Sequence, residues 1–156
     1  MGSASRQQQL AKVEIFSGLT DEGLRLLAEK AVEEVFGAEE IIFEHGSIGD
    51  KLYLILEGRV RIGRTVPGMG EEALAVLDAG DVFGEMALLD EAPRSADARA
   101  QEPCVLLSLN KEKFEDVLFL HKDLAYEVLW NVIRTMTRRL RATNDKLTFF
   151  SVTDRF

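Results

Sequence analysis

Cysteine is almost missing from this chain: Cys104 is the only one, so no internal disulfide can form. Its place in the apolar run Cys104-Val105-Leu106-Leu107 marks it as an inert, buried thiol, and a reducing cytoplasm fits that usage. Long hydrophobic runs are missing too. Apolar stretches such as those at 104–107 and 117–120 are far shorter than the roughly 20 residues a membrane-crossing helix needs, so no membrane segment is expected. Positive charge is in short supply, with 19 Lys and Arg against 27 Asp and Glu and a formal net charge of −8. Such a surface repels polyanions, and no basic stripe with interleaved aromatics stands outside the last helix, so DNA binding by this chain alone is not expected. The two histidines, His45 and His121, lie far apart with no cysteine at ligand spacing, and no metal site is expected. No serine or cysteine nucleophile stands in an activation motif, and no Gly-rich loop ends in Lys-Ser/Thr. The sequence therefore reads as that of a non-enzyme.

What is present suits one domain: 156 residues with 46% hydrophobic content fill a single core. Residues 1–9 lack the charged start and apolar core of a secretory signal and read as a flexible tail or tag remnant. A short helical piece is expected at 10–16, then a helix over 21–34 capped by Thr20, with Leu24, Leu27, Ala28, Ala31 and Val35 at helical spacing. After Gly37 the rhythm changes to short apolar or alternating runs at 40–43, 51–56, 59–62, 73–77, 96–100 and 104–109, separated by glycine-rich turns. Many short strands of this kind make a β-sandwich or barrel. Helical periodicity returns at 111–120 and in a long segment from 124 to about 150.

Along that last segment Leu129, Ile133, Met136, Leu140, Thr143, Leu147 and Phe150 recur in alternating steps of four and three, a heptad seam. The seam predicts a homodimer through the C-terminal helix. Arg134, Arg138, Arg139 and Arg141 cluster on the same helix and are expected at solvated or inter-subunit positions, while Trp130 and Phe150 suit core or interface packing. The expected organisation is a tail at 1–9, a β-domain with flanking helices at 10–122, a lid or dimerisation helix at 123–150, and a tail at 151–156.

The segment Phe83-Gly84-Glu85-Met86-Ala87-Leu88-Leu89-Asp90-Glu91-Ala92-Pro93-Arg94-Ser95-Ala96 carries the chemistry. Gly84 allows close backbone approach, and Glu85 to Leu89 are good helix formers whose first amides would face an anion. Pro93 stiffens the return to a strand, and Arg94 brings a guanidinium able to hold phosphate oxygens with two donors, with the Ser95 hydroxyl beside it. Glu85 would repel bare phosphate; held near Arg94, its carboxylate can instead accept from a sugar hydroxyl. A phosphorylated sugar fits this pair.

In residues and gap this segment resembles the phosphate-binding cassette of the cyclic nucleotide-binding domain family. The similarity extends over Gly46 to Gly58, where Gly49-Asp50-Lys51-Leu52-Tyr53-Leu54-Ile55-Leu56-Glu57-Gly58 looks like the family's glycine-bounded strand pair, and to Arg138-Arg139-Leu140-Arg141-Ala142-Thr143-Asn144, which is similar to the long helix of bacterial cyclic AMP receptor proteins. Roughly residues 13–150 are covered. The resemblance implies a mainly β fold with flanking helices: an eight-stranded β-roll of jelly-roll type, an N-terminal helix and a long C-terminal helix that closes over the nucleotide. It implies a ligand site of Phe83, Gly84, Glu85, Met86, Ala87, Arg94, Ser95 and Ala96. Glu85 would take the ribose 2′-hydroxyl, and Arg94 and Ser95 the cyclic phosphate, together with the amides of Met86 and Ala87. Thr143 and Asn144 sit where the bacterial receptors touch the purine. Ser95 beside the arginine leans toward cyclic AMP over cyclic GMP.

Two departures stand out. Asp97 occupies a position that is more often uncharged in the family and is expected to face solvent with little consequence. Residues up to Phe156 include no helix-turn-helix, so the bacterial regulators' DNA binding is not implied. The expected protein is a sensor acting on an unknown downstream protein, with occupancy of the pocket transmitted to the C-terminal helices near Thr143. A regulatory piece of a larger transcription factor, channel or kinase, and a structural dimerisation module with an empty pocket, are the alternatives.

Overall fold

A computed structural model of the chain describes residues 2–153. Eight strands form, six of them at the apolar runs after Gly37: β1 (Val32–Phe36), β2 (Ile41–Phe43), β3 (Lys51–Glu57), β4 (Val60–Val66), β5 (Gly70–Leu77), β6 (Val82–Phe83), β7 (Asp97–Ala100) and β8 (Cys104–Asn110). They pair antiparallel in two four-stranded sheets, ordered β1-β8-β3-β6 and β2-β7-β4-β5. The helices are α1 (Ser3–Leu10), α2 (Asp21–Ala28), α3 (Lys111–Leu120) and α4 (Lys122–Thr153), with 3-10 turns at Glu14–Phe16 and Glu85–Leu88. This is the eight-stranded β-roll with flanking helices that the family resemblance implies.

Burial explains why β3 and β8 read as continuous apolar runs. A strand covered on both faces loses its polar alternation. Leu52, Leu54, Leu107 and Leu109 join Phe16, Leu27, Phe114, Leu124 and Val128 in a core beneath the helices. Their alternate neighbours Tyr53, Ile55 and Leu106 join Val60, Phe83, Ala98 and Ala100 in a second core inside the roll. One sheet therefore serves two cores, and the ligand-side elements and the helices share its strands.

The first helices differ from the sequence expectation. Thr20 caps α2, its Oγ1 accepting the Gly23 N–H at 3.1 Å, but the helix stops at Ala28 instead of running to residue 34. Val32 to Phe36 pair with β8 in register, Val32 opposite Ser108 and Val35 opposite Val105. Strand pairing thus overrides a helical spacing that Val35 continues only by coincidence. Residues 3–10 are no tail: they form α1, tied down by Arg6 donating to the Ala31 carbonyl at 3.0 Å and Gln7 donating to the Asp21 carbonyl at 3.1 Å. Leu10 ends this helix fully buried, and of the rest of the expected 10–16 piece only Glu14–Phe16 is helical, as a 3-10 turn. At the other end α4 runs past 150 to Thr153; residues 154–156 of the expected tail lie outside the described residues.

Asp97 also departs from expectation. Its carboxylate accepts the His45 N–H at 2.6 Å and the Thr65 hydroxyl at 3.4 Å, bracing the exit of β2 against β4 and β7. Along α4, Leu124, Val128 and Thr135 are buried against the domain, and Asn131 donates to the Ser17 carbonyl at 2.6 Å. The heptad residues lie on another face: Leu129, Ile133, Leu140, Leu147 and Phe150 are exposed. From residue 137 to 151 every side chain is exposed. Among the described residues no helix is long and apolar enough to cross a membrane.

Candidate functional site

Two stretches of backbone, from β6 into the 3-10 turn and from Pro93 into β7, converge on one cavity of about 470 Å³. That volume lies within the range of small-molecule sites, about 300–1,000 Å³. Phe83, Gly84, Glu85, Met86, Ala87, Arg94, Ser95 and Ala96 all line it, joined by Phe43, Ile62 and Val82. One wall is thus apolar and broad, and the other presents a carboxylate, a guanidinium and a hydroxyl.

Gly84 makes the bend into the turn with φ +71, a left-handed conformation that side chains other than glycine adopt at a cost. Ala87 and Leu88 are buried and anchor the turn on the strands beneath. The amides that open it, of Glu85 and Met86, have no intrahelical acceptor. The Ala87 N–H, which the resemblance assigns to the cyclic phosphate together with that of Met86, donates to the Gly84 carbonyl at 3.1 Å. Beyond the turn, Lys111 at the head of α3 donates to the Asp90 carbonyl at 3.1 Å, which ties the loop to the helix.

The backbone holds Arg94 from both sides. Its N–H donates to the Ser47 carbonyl at 2.7 Å and its carbonyl accepts the Gly46 N–H at 2.8 Å. The side chain is 9% exposed. Nη2 donates to the Lys51 carbonyl at 2.9 Å and Nη1 to the Gly84 carbonyl at 3.3 Å, while the buried Nε has no partner. The guanidinium carbon lies 4.1 Å from the centre of the Phe43 ring. A Cβ added at Gly49 would come within 2.6 Å of Nε, and one at Gly84 within 2.7 Å of Nη1, so two glycines make room for this side chain. Among the described residues Arg94 has no ion-pair partner, and burial pulls its pKa below the usual arginine range. The Asp50 carboxylate acts on it only at longer range, and a buried cation with no anion in contact is an incomplete site.

Glu85 is not held by Arg94. It accepts from Arg139 of α4, whose Nη1 stands 2.9 Å away, and the same guanidinium reaches Glu14 at 3.3 Å. Arg138 also donates to Glu14, at 2.8 Å. Partial burial lowers the Arg139 pKa, but the carboxylates of Glu85 and Glu14 outweigh it and hold the group above its usual value. The ion pair from Arg139 to Glu85 is the contact in this region that sequence reasoning missed. Arg139 was legible only as one of several basic residues on the last helix, although Glu85 needed a counter-charge and Arg139 stands one helical turn before Thr143.

Thr143 and Asn144 are not brought to this cavity by the chain itself. Both are exposed on α4, and the Thr143 hydroxyl donates to the Arg139 carbonyl at 2.9 Å within its own helix. Among the described residues no group of three or more His, Cys, Asp or Glu is placed to hold a metal ion. The arrangement can bind an anion joined to a hydroxyl-bearing, partly apolar body.

A family model for the cyclic nucleotide-binding domain matches residues 33–121. A cyclic AMP receptor protein of Thermus thermophilus is 39% identical over 137 residues, covering 88% of this chain and 62% of that protein. A CRP-like cAMP-activated global transcriptional regulator of Mycobacterium tuberculosis is 29% identical over 145 residues, covering 93% of this chain and 63% of its own. The chain thus spans 62% to 63% of the length of these curated relatives. Among solved structures, the N-terminal domain of a transcriptional regulator from Streptomyces coelicolor superposes with a TM-score of 0.78 at 32% identity, over 89% of this chain and 94% of the other.

Proposed function

This chain belongs to the cyclic nucleotide-binding domain family, and on that premise we propose that it is a non-catalytic receptor for cyclic AMP, with Arg94 and Ser95 holding the cyclic phosphate and Glu85 the ribose 2′-hydroxyl. The observation that carries the reading is the state of Arg94: buried, without an ion-pair partner among the described residues, with an unpaired Nε, in the wall of a cavity large enough for a nucleotide. A cyclic phosphodiester supplies the missing negative charge, and charge-assisted bonds of this kind are worth about 1.5–3 kcal/mol each. The apolar wall of Ile62, Val82 and Phe43 suits a purine and its sugar. Ser95 favours cyclic AMP over cyclic GMP.

Occupancy is transmitted to α4 through Glu85. The ribose hydroxyl donates to a carboxylate that Arg139 already holds, so ligand and helix meet at one group. A ligand shifts the helix only by its differential affinity for the two arrangements. The exposed seam of Leu129, Ile133, Leu140 and Leu147 supports a homodimer through α4, which would bring Thr143 and Asn144 of the long helix into use at the purine. The signal then passes to an unidentified downstream protein, or to further parts of a longer transcription factor, channel or kinase. The single buried thiol, Cys104, supports a cytoplasmic setting.

Calorimetric titration with cyclic AMP and cyclic GMP tests the proposal. One site per chain, with tighter binding of cyclic AMP, is expected. Heats indistinguishable from dilution for both nucleotides would leave a dimerisation module with an empty pocket.

A further inference from the structure

We infer that Phe43 aims Arg94: an aromatic face, in place of a carboxylate, fixes the guanidinium so that its unspent donors stay available to the ligand. The inference rests on the phosphate role proposed above for Arg94. An arginine that binds phosphate two-handed must be held in position, because its long side chain otherwise loses rotamer freedom on binding. A carboxylate can hold it, but a carboxylate consumes the same N–H groups and neutralises the charge that attracts the phosphate. An aromatic face does neither, since it meets the cation through the ring quadrupole.

The guanidinium carbon lies over the Phe43 ring at 4.1 Å from its centre, well inside cation–π range. Of the five guanidinium donors, one goes to the Lys51 carbonyl and one to the Gly84 carbonyl, which fixes the rotation of the plane and leaves three unspent. Gly49 and Gly84 close around the group so nearly that a Cβ at either would collide with it. Phe43 is itself held: its ring centre lies 6.1 Å from that of Tyr53 and 6.0 Å from that of Phe83, and those two stack on each other at 5.1 Å. The ring at the end of β2 thus carries the geometry of the aromatic cluster inside the roll to the one cation in the cavity.

Two measurements decide the matter. In the ligand-free protein the Arg94 Nε–Hε resonance should be shielded by the ring, shifted upfield in the parent and in F43Y and returned to the ordinary arginine position in F43L. Titration should then show cyclic AMP weakened about tenfold by F43L and within about twofold of the parent in F43Y, since a partly desolvated cation–π contact is worth a factor of that order. Adenosine, which has the base and ribose hydroxyl but no phosphate, also meets the Phe43 wall and should lose clearly less affinity in F43L than cyclic AMP does. F43M replaces F43L should the leucine variant fail to fold. An unshifted resonance in the parent overturns the inference, as does an F43L protein that binds cyclic AMP as tightly as the parent or loses adenosine in the same proportion. A parent that shows the shielded resonance but takes up no cyclic AMP would instead overturn the function proposed above while upholding the stack.

Discussion

Arg139 on α4 donates to the carboxylate of Glu85 at 2.9 Å, joining residues 54 positions apart. The same guanidinium touches Glu14 at 3.3 Å, so one side chain links the long helix, the cassette turn and the N-terminal 3-10 turn. Beyond this contact, through residue 151, every α4 side chain is exposed. The pair therefore fastens the helix to its own domain at the point where the α4 side chains become exposed.

Arg139→Ala should loosen the helix more than it destabilises the fold. Both partners are partly solvated, so thermal unfolding should shift by less than about 1 kcal/mol. Hydrogen exchange over residues 137–151 should speed up in the ligand-free protein. Unchanged exchange there would mean that the ion pair does not fasten α4.

Gly49→Ala should disable the site without damaging the roll. The backbone at Gly49 is not left-handed, so the only obstacle is the Arg94 guanidinium, whose Nε a new Cβ would approach to 2.6 Å and whose Cζ to 2.8 Å. Displacing the guanidinium should weaken cyclic AMP by at least about tenfold, while the melting midpoint moves by no more than about 1 kcal/mol equivalent. Calorimetry together with a thermal melt separates the two effects.

The double variant I133D/L140D should be monomeric. Both positions are more than half exposed on the free chain, 52% and 62%. Fully burying side chains of this size contributes about 1.5–3 kcal/mol each, and a buried unpaired carboxylate reverses the sign. Light scattering after size exclusion should show a dimer for the parent and a monomer for the variant. A variant that still dimerises would move the interface off this face of α4.

Burial pushes the Tyr53 phenol up to about 12 from a usual value near 10, with the Glu34 carboxylate adding to the shift. The sign follows directly: the folded state keeps the phenol neutral at a pH where the unfolded chain ionises. This contribution is complete below pH about 10 and is lost as pH rises toward about 12, a span worth about 2–3 kcal/mol. Tyr53→Phe should therefore melt with a shallower decline between these values than the parent. Parallel declines would show that the phenol ionises as freely in the folded protein as in the unfolded one.

The cassette was readable because it is contiguous: Gly84, the helix-forming turn, Pro93 and Arg94 each impose a local constraint, and their order places them around one cavity. Strands β3 and β8 were readable for the same reason, as apolar runs between turn residues. What escaped was non-local. Val32 and Val35 are strand residues because β8 pairs with them, and the sequence around them says helix equally well. Helix α1 is polar apart from Ala4 and Leu10 and is tied down by its bonds to Ala31 and Asp21, which no local pattern announces. Arg139 finds Glu85 and Glu14 only after α4 has docked, and Phe43 meets Arg94 only once β2 is seated beside β7.

The central claim is that Arg94 is a phosphate receptor awaiting its anion, and titrating cyclic AMP into the parent chain and into Arg94→Ala tests it most directly. The account predicts saturable uptake by the parent and an affinity lower by a factor of about ten to a hundred or more in the variant, from the loss of charge-assisted bonds of about 1.5–3 kcal/mol each. An Arg94→Ala protein that binds cyclic AMP as tightly as the parent would contradict it.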